Sequence, residues 1–418
     1  MAFARRRIKK NYNIQELKRF SIKVYFLKTG VIGGGISGLL TSIRLSESGC
    51  NVYLYEEHTE VGLPEHCTGI VSKKTLKMMN APIDECIKKE FTEIAFFNSK
   101  GESIKLKLNE PIFSIDRVCL EKKLLKIAEG LGVNVYLKTK VALVDHDRFY
   151  NFSTKKIEDF NNIVLAWGNS IQQNPPPFLH KRTSQIIGIN RLIEIEGNIK
   201  EENYISVYFN HYLSPGFFSW KVPLNRGTFI LGLGSLDPKK IPLSLNKFEN
   251  ELFGNNRIKI VKSYGGVINV SLPEAVAFPK KVIAIGDALG MSKPLSGGGI
   301  YGISKALNFD VTRINCEDVF EKIKSNIFNV LRELKKQERI SRVFHNPSNQ
   351  ELLDETISFI SKNYSIISSK AIDYDEHQNF ILFPIFSPKL FLTMSLKLIR
   401  DKEYRKKLKK AIYSDLLD

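Results

Sequence analysis

The chain has 418 residues, 43% apolar and 25% charged, a globular composition that excludes a disordered chain or a membrane bundle. Its net charge of +18 is concentrated at the ends: residues 1–28 hold nine Lys/Arg against Glu16 alone, and residues 389–418 hold nine against Asp401, Glu403, Asp415 and Asp418. Such ends suit nucleic acid, an anionic membrane surface or an acidic protein equally, and serve as well as solvated tails. In chain order, Lys28–Gly33 reads as a strand and Ile36–Ser48 as a helix with Ile36, Leu39, Leu40, Ile43 and Leu45 inward. Gly49 stops it, and Asn51–Glu56 alternates as the next strand, completing a βαβ opening. Phe91–Asn98 and Glu102–Leu108 flank Ser99-Lys100-Gly101 as a hairpin. Arg117–Gly130 is expected to be helical, and Val133–Leu137 and Asn162–Ala166 to be strands. Residues 183–270 are strand-rich, with a glycine-punctuated run at Thr228–Gly234. Lys281–Ile285 returns to a buried strand, Gly297–Phe309 opens a helix, and Ile323, Ile327, Leu331 and Leu334 form a helical stripe.

These elements predict an α/β fold in four parts. Residues 1–28 form a basic extension; 29–170 and 275–312 make a discontinuous nucleotide domain carrying the hairpin near 88–110. A mostly antiparallel substrate sheet is inserted at 171–274, and a helical region follows at 313–418. The apolar stretch Phe380–Phe386 is broken by Pro384 and followed by Lys389, so nothing reads as a membrane span. The N-terminus lacks a secretory apolar run, and a cytoplasmic location is expected. Cys50, Cys67, Cys86, Cys119 and Cys316 include no C-x-x-C pair, which argues against a zinc knuckle or iron–sulfur cluster; their odd number favours free thiols.

Gly33-x-Gly35-x-x-Gly38 lies between the first strand and its helix, where a dinucleotide fingerprint belongs. The first glycine allows a tight turn, the second lets backbone approach a pyrophosphate, and the third lets helix pack on strand. Glu56 ends the second strand, where a carboxylate can accept both ribose hydroxyls. A second element favours FAD over NAD: a buried strand ending in Gly286-Asp287, then Pro294-Leu295-Ser296-Gly297-Gly298-Gly299 opening a helix. The Asp can bond a ribityl hydroxyl, and the glycines can offer bare amides to the pyrimidine edge of a flavin. An ordinary strand–turn–helix is the plainer alternative.

With these motifs, and with Val61-Gly62-Leu63-Pro64-Glu65-His66-Cys67-Thr68-Gly69, Asp116-Arg117 and Phe218-Ser219-Trp220-Lys221-Val222-Pro223, the chain resembles the geranylgeranyl reductase family of FAD enzymes over about residues 29–310. That family is a branch of the hydroxylase-like flavoproteins. The resemblance implies that Arg117 contacts the cofactor and that Phe218, Trp220 and Pro223 line an apolar substrate tunnel. It implies an isoprenoid lipid as substrate; the electron donor stays open between ferredoxin and NAD(P)H, and nucleic acid is not expected. The basic C-terminal segment, with Phe380–Phe386 and Leu390–Ile399, offers peripheral contact with the inner face of the membrane, core packing being the alternative. Three departures stand out. Thr68 replaces a usual glycine; Phe218 and Val222 replace a usual Tyr and Phe. The Ala-Asp-Gly-x-x-Ser signature of related hydroxylases is eroded to Ala166-Trp167-Gly168-Asn169-Ser170.

Cys67 is the candidate catalytic residue. An isolated alkene is unpolarised, so its reduction needs a proton on one carbon as hydride reaches the other. A neutral thiol, with an ordinary pKa of about 8.5, can donate or relay that proton. Gly62, Pro64 and Gly69 predict a turn that exposes it; a buried structural cysteine is the alternative. Competing readings are a flavin monooxygenase or halogenase-like oxidase, and a flavoprotein electron carrier to a quinone.

Overall fold

A computed structural model describes residues 27–81, 84–169, 184–197, 199–254, 256–363, 371–376 and 399–413. Ser170, Phe380–Phe386, residues 390–398 and all but the end of the basic N-terminal extension lie outside them. The first elements are β1 (Lys28–Ile32), α1 (Ile36–Glu47), β2 (Asn51–Tyr55), β3 (Ile70–Ser72), α2 (Lys73–Met79), β4 (Ile87–Phe97), β5 (Ser103–Ile115) and α3 (Arg117–Gly130). Next come β6 (Asn134–Tyr136), β7 (Val141–Asp145), β8 (Arg148–Asn151), β9 (Lys156–Asp159), β10 (Asn162–Leu165), β11 (Gln185–Ile195), β12 (Tyr204–Tyr208), β13 (Ser219–Asn225) and β14 (Thr228–Ser235). The chain continues through α4 (Ile241–Phe253), β15 (Ile258–Asn269), β16 (Val282–Ala284), α5 (Ile300–Leu307), α6 (Cys316–His345), α7 (Gln350–Lys362), β17 (Ala371–Ile372) and α8 (Lys402–Tyr413).

A five-stranded parallel sheet, in the order β16-β10-β1-β2-β6, forms the nucleotide side. Strands buried on both faces read as unbroken apolar runs, and Val31, Ile163, Val164, Leu165, Val282, Ile283 and Ala284 are all fully buried. Helix α1 turns Leu39, Leu40, Ile43 and Leu45 onto this sheet. Each such side chain contributes about 1.5–3 kcal/mol by leaving water. The Asp116 carboxylate caps α3 by accepting from the Cys119 N–H at 3.0 Å, which explains why the helix starts at Arg117.

The second sheet runs β15-β11-β14-β13-β12-β4-β5-β17, with β3 on β5. It is antiparallel except at β12·β4 and β17·β5. The expected hairpin exists as β4–β5, turning at Ser99-Lys100-Gly101. Its strands extend this second sheet rather than the parallel one, because β4 pairs with β12 across a long stretch of sequence. Helix α4 interrupts the strand-rich run, burying Leu245 and Phe248 against Phe229, Leu231 and Leu233. A small sheet, β7-β8-β9, was not foreseen; it lays Phe149 over Gly30, where a Cβ would come within 2.6 Å of that ring. Helix α6 buries Ile323, Ile327 and Leu334, with Leu331 half-buried beside them, as the stripe predicted.

The expectation of free thiols fails for four of the five cysteines. The fold brings Cys50 to Cys316 and Cys86 to Cys119 as disulfides with Cα separations of 5.0 and 5.6 Å. Partners 266 and 33 residues apart leave no spacing signature. Cys67 alone is free. Among the described residues no helix is long and apolar enough to cross a membrane.

Candidate functional site

A cavity of about 1820 Å³ runs between the two sheets. Gly33, Gly35, Glu56 and Trp167 line one part of it, and Phe218, Trp220, Val222, Ile205 and Val207 another, with Cys67 and Arg117 also on its wall. The glycine motif separates into two physical kinds. A Cβ on Gly38 would fall 1.8 Å from the Gly33 carbonyl oxygen, and one on Gly33 2.4 Å from the Ala166 oxygen, so the protein's own packing excludes side chains there. A Cβ on Gly35 would meet nothing within 4 Å. Glycine at that position is demanded by nothing in the chain, which fits backbone left bare for a pyrophosphate.

Glu56 is buried at the end of β2, and its Oε2 accepts the Gly34 N–H at 2.6 Å. Its Oε1 accepts the His58 N–H at 2.8 Å and lies 2.6 Å from His58 Nδ1. Three of roughly four acceptor positions are thus in use. A second ribose hydroxyl fits only when the exposed His58 ring swings aside.

Gly286 and Asp287 follow β16. Gly286 has φ +69° and lies against Ser37 of α1, off the cavity wall, so its role is the turn. Asp287 lines the cavity, its carboxylate steered by Ser292 Oγ at 2.8 Å and Asn169 Nδ2 at 3.3 Å. Asn169 therefore has a purpose within the eroded hydroxylase signature: it fixes Asp287. Gly297, Gly298 and Gly299 all line the cavity just ahead of α5. Lys293 stands beside them, nearly fully buried and paired at 2.9 Å with Asp375. Burial by itself raises the Asp375 carboxyl, yet the Lys293 charge and bonds from Ser72 and Thr75 hold it below the usual range. Sequence reasoning missed this pair. A lone lysine inside a glycine- and serine-rich loop was the available signal, and Asp375 had none.

Cys67 sits in the loop between β2 and β3, with the Gly69 N–H 3.4 Å from its sulfur. Gly62 and Gly69 both take positive φ, and a Cβ on Gly69 would fall 2.4 Å from the Ile115 oxygen. The turn that presents the thiol is therefore set by glycine, as expected. Arg117 opens α3 beside it and pairs with Glu121. Burial disfavours the guanidinium charge, but Glu121 and the Cys67 sulfur more than offset that, so Arg117 stays protonated. Its Nε is buried without a partner. An orphaned donor on the cavity wall fits an acceptor on a bound molecule.

Phe218 and Trp220 face the cavity, while Pro223 does not. Along β13 alternate residues point to opposite faces; Trp220 and Val222 turn inward, and Pro223 lies opposite Phe229. The Trp220 Nε1 donates to Asn190 Oδ1 at 3.0 Å, and the Thr68 hydroxyl to the same oxygen at 2.8 Å. Thr68, a departure from the expected motif, thus anchors the cysteine loop to β11. With its N–H committed, Trp220 offers the cavity an apolar ring.

Residues 31–67 match the NAD(P)-binding Rossmann-like domain. A digeranylgeranylglycerophospholipid reductase of Methanosphaerula palustris is 24% identical over 298 residues, covering 65% of this chain and 72% of that protein. The structure of a geranylgeranyl bacteriochlorophyll reductase-like protein from Thermoplasma acidophilum superposes with a TM-score of 0.65 at 18% identity, covering 88% of this chain and 98% of that one. The flavin-dependent halogenase CmlS superposes at 0.57 with 14% identity, covering 88% and 72%. The resemblance to the geranylgeranyl reductase family is therefore borne out in sequence, on a Rossmann-like fold shared with hydroxylase-like flavoproteins.

Proposed function

We propose that the protein is an FAD-dependent reductase of isoprenoid double bonds, acting on geranylgeranyl chains of membrane lipids or their precursors. The observation that carries this reading is the placement of Cys67 in one continuous cavity with the bare glycine backbone and an apolar wall. A bound flavin supplies hydride. Gly35 leaves space for its pyrophosphate, Glu56 meets the ribose, Asp287 the ribityl chain, and Arg117 Nε an acceptor on the cofactor. Cys67 Sγ delivers the proton to the alkene carbon, either from its own thiol or relayed from water. Phe217, Phe218, Ile205 and Val222 exclude bulk water from that carbon.

The cavity also reaches exposed Arg339 and Arg342 on α6. On neighbouring α8, exposed Lys402, Lys406, Lys409 and Lys410 share one helical face, suited to an anionic head group or membrane surface. Expression in a host that makes unsaturated isoprenoid lipids tests the reading: lipid mass should rise by one hydrogen molecule per reduced bond. Purified protein should release FAD on denaturation, and reduction should proceed anaerobically with dithionite. A colourless protein, or product carrying labelled oxygen, overturns it in favour of a different cofactor or a monooxygenase.

A further inference from the structure

Lys293 and Asp375 are each only 2% exposed. Asp375 Oδ1 accepts from Lys293 Nζ at 2.9 Å, and its Oδ2 from the hydroxyls of Ser72 and Thr75, the latter at 3.1 Å. The carboxylate is satisfied entirely within the protein. The lysine ammonium has three protons: one goes to Asp375, a second points to the Tyr374 carbonyl oxygen at 3.4 Å, and the third finds no hydrogen-bond acceptor among the described residues, only the Tyr374 and Tyr301 rings at 4.4 and 5.7 Å.

The lysine is also built into the glycine loop. Its N–H donates to the Gly298 oxygen at 3.1 Å, and its carbonyl accepts the Gly297 N–H at 2.8 Å. A Cβ on Gly298 would lie 2.9 Å from Lys293 Cε and 3.6 Å from Nζ. The charge therefore sits directly under the loop, and Lys293, Gly298 and Asp375 all line the cavity. A structural clamp does not account for this choice of residues, since replacing a buried ion pair with apolar side chains is commonly neutral or stabilising. What apolar residues cannot provide is a fixed positive charge in a water-poor wall.

We propose that Lys293 is a positioning residue for the flavin: it holds the negative charge that builds on the pyrimidine edge when the cofactor is reduced, while Asp375 fixes the place of its ammonium group. The inference rests on the FAD reading above. With the lysine in place the neutral oxidised ring takes up two electrons and one proton and becomes an anion. Without it, a second proton from solvent neutralises that edge.

The test is stepwise reduction of the FAD-loaded full-length protein by dithionite under argon, against a reference dye, at several pH values from mildly acidic to alkaline. Wild type should take up one proton per two electrons around neutral pH. Lys293→Met should shift the midpoint potential downward and take up two, while Lys293→Arg should stay near wild type. Should Lys293→Met not fold, Lys293→Gln carries the same expectation. FAD bound with unchanged potential and proton count in the neutral variant overturns this inference alone, as does an Arg variant that shifts as far as the Met variant. Wild type that holds no FAD overturns the functional reading and this inference with it.

Discussion

The five-stranded parallel sheet and the loops that follow its strands bring glycine backbone and polar groups to the cavity, whereas the nine-stranded sheet brings mostly apolar side chains. On the parallel side glycine backbone at Gly33, Gly35 and Gly297–Gly299 lines the cavity, and Glu56 is held by a backbone amide, that of Gly34. On the other side β12 and β13 present Ile205, Val207, Trp220 and Val222, with helices α6 and α7 adding Phe344, Leu353 and Ile357. One wall sets polar side chains such as Glu56, Asn169, Asp287 and Lys293 beside glycine backbone; the other is mainly apolar. A molecule with a phosphate-bearing half and a long hydrocarbon neighbour suits that asymmetry, and Cys67 stands where the two walls meet.

The strongest way to break this account is to remove the group at the junction. Cys67→Ala should keep its FAD and still be bleached by reductant, while alkene reduction falls by about 10²–10⁴-fold, the usual effect of losing a positioned acid. Cys67→Ser should recover part of the rate, because a hydroxyl still passes protons from water. Single-turnover assays on cofactor-saturated protein read this directly. Near-normal turnover in Cys67→Ala would place the proton source elsewhere on the cavity wall.

The same contrast explains what the sequence disclosed. Close backbone approach forces glycine at fixed spacing, so Gly33, Gly35, Gly38 and the run at Gly297–Gly299 were legible, as was the turn at Gly62–Gly69 around Cys67. Helix α3 was legible to the residue because Asp116 caps it locally. The apolar wall depends on pairings such as β4 with β12 and β17 with β5, made by residues far apart in the chain, and alternation in a sheet buried on both faces leaves no clean pattern. Pro223 was misplaced for that reason: its motif was visible, but the strand's alternation turns it away. Asp375 and Asn190 became functional candidates only through distant partners, Lys293 for one and Thr68 and Trp220 for the other.

The apolar wall has its own signature in acid. The ring of His345, at the end of α6, lies tilted 4.7 Å from that of Phe217 and bonds through Nε2 to the Leu295 oxygen at 3.0 Å, with its Nδ1 buried and unpartnered. Burial in this setting pushes its pKa down to about 4. Between the ordinary imidazole value of 6.5 and about 4, the unfolded chain binds a proton that the fold refuses. Stability is therefore complete above that window and lost as pH falls through it, by about 3 kcal/mol in all. His345→Phe should flatten this limb in urea denaturation between pH 6.5 and 4. The neighbouring His211, also lowered by burial, leaves a residual slope. An unchanged acid limb in His345→Phe would mean that this histidine is not buried as a neutral group.

The polar wall can be tested with a smaller change, one methyl group at each of two glycines. At Gly38 the new Cβ would fall 1.8 Å from the Gly33 carbonyl oxygen, so Gly38→Ala strains the fold with or without cofactor, by about 1–3 kcal/mol for forced overpacking. Gly35 has φ −73° and extended ψ, which alanine adopts readily, and its Cβ would meet no protein atom within 4 Å. Gly35→Ala should leave the apoprotein as stable as wild type, or more stable by about 0.4–1 kcal/mol through a less flexible unfolded chain. Its cost should appear only when FAD is added. A methyl group pressed against the pyrophosphate should weaken binding by about 1–3 kcal/mol, roughly five- to 150-fold in Kd. Melting curves with and without FAD, beside fluorescence titrations of the cofactor, separate the two variants. If Gly35→Ala binds FAD as tightly as wild type, the bare backbone at that position is not where the pyrophosphate lies, and the dinucleotide must enter the cavity in another orientation.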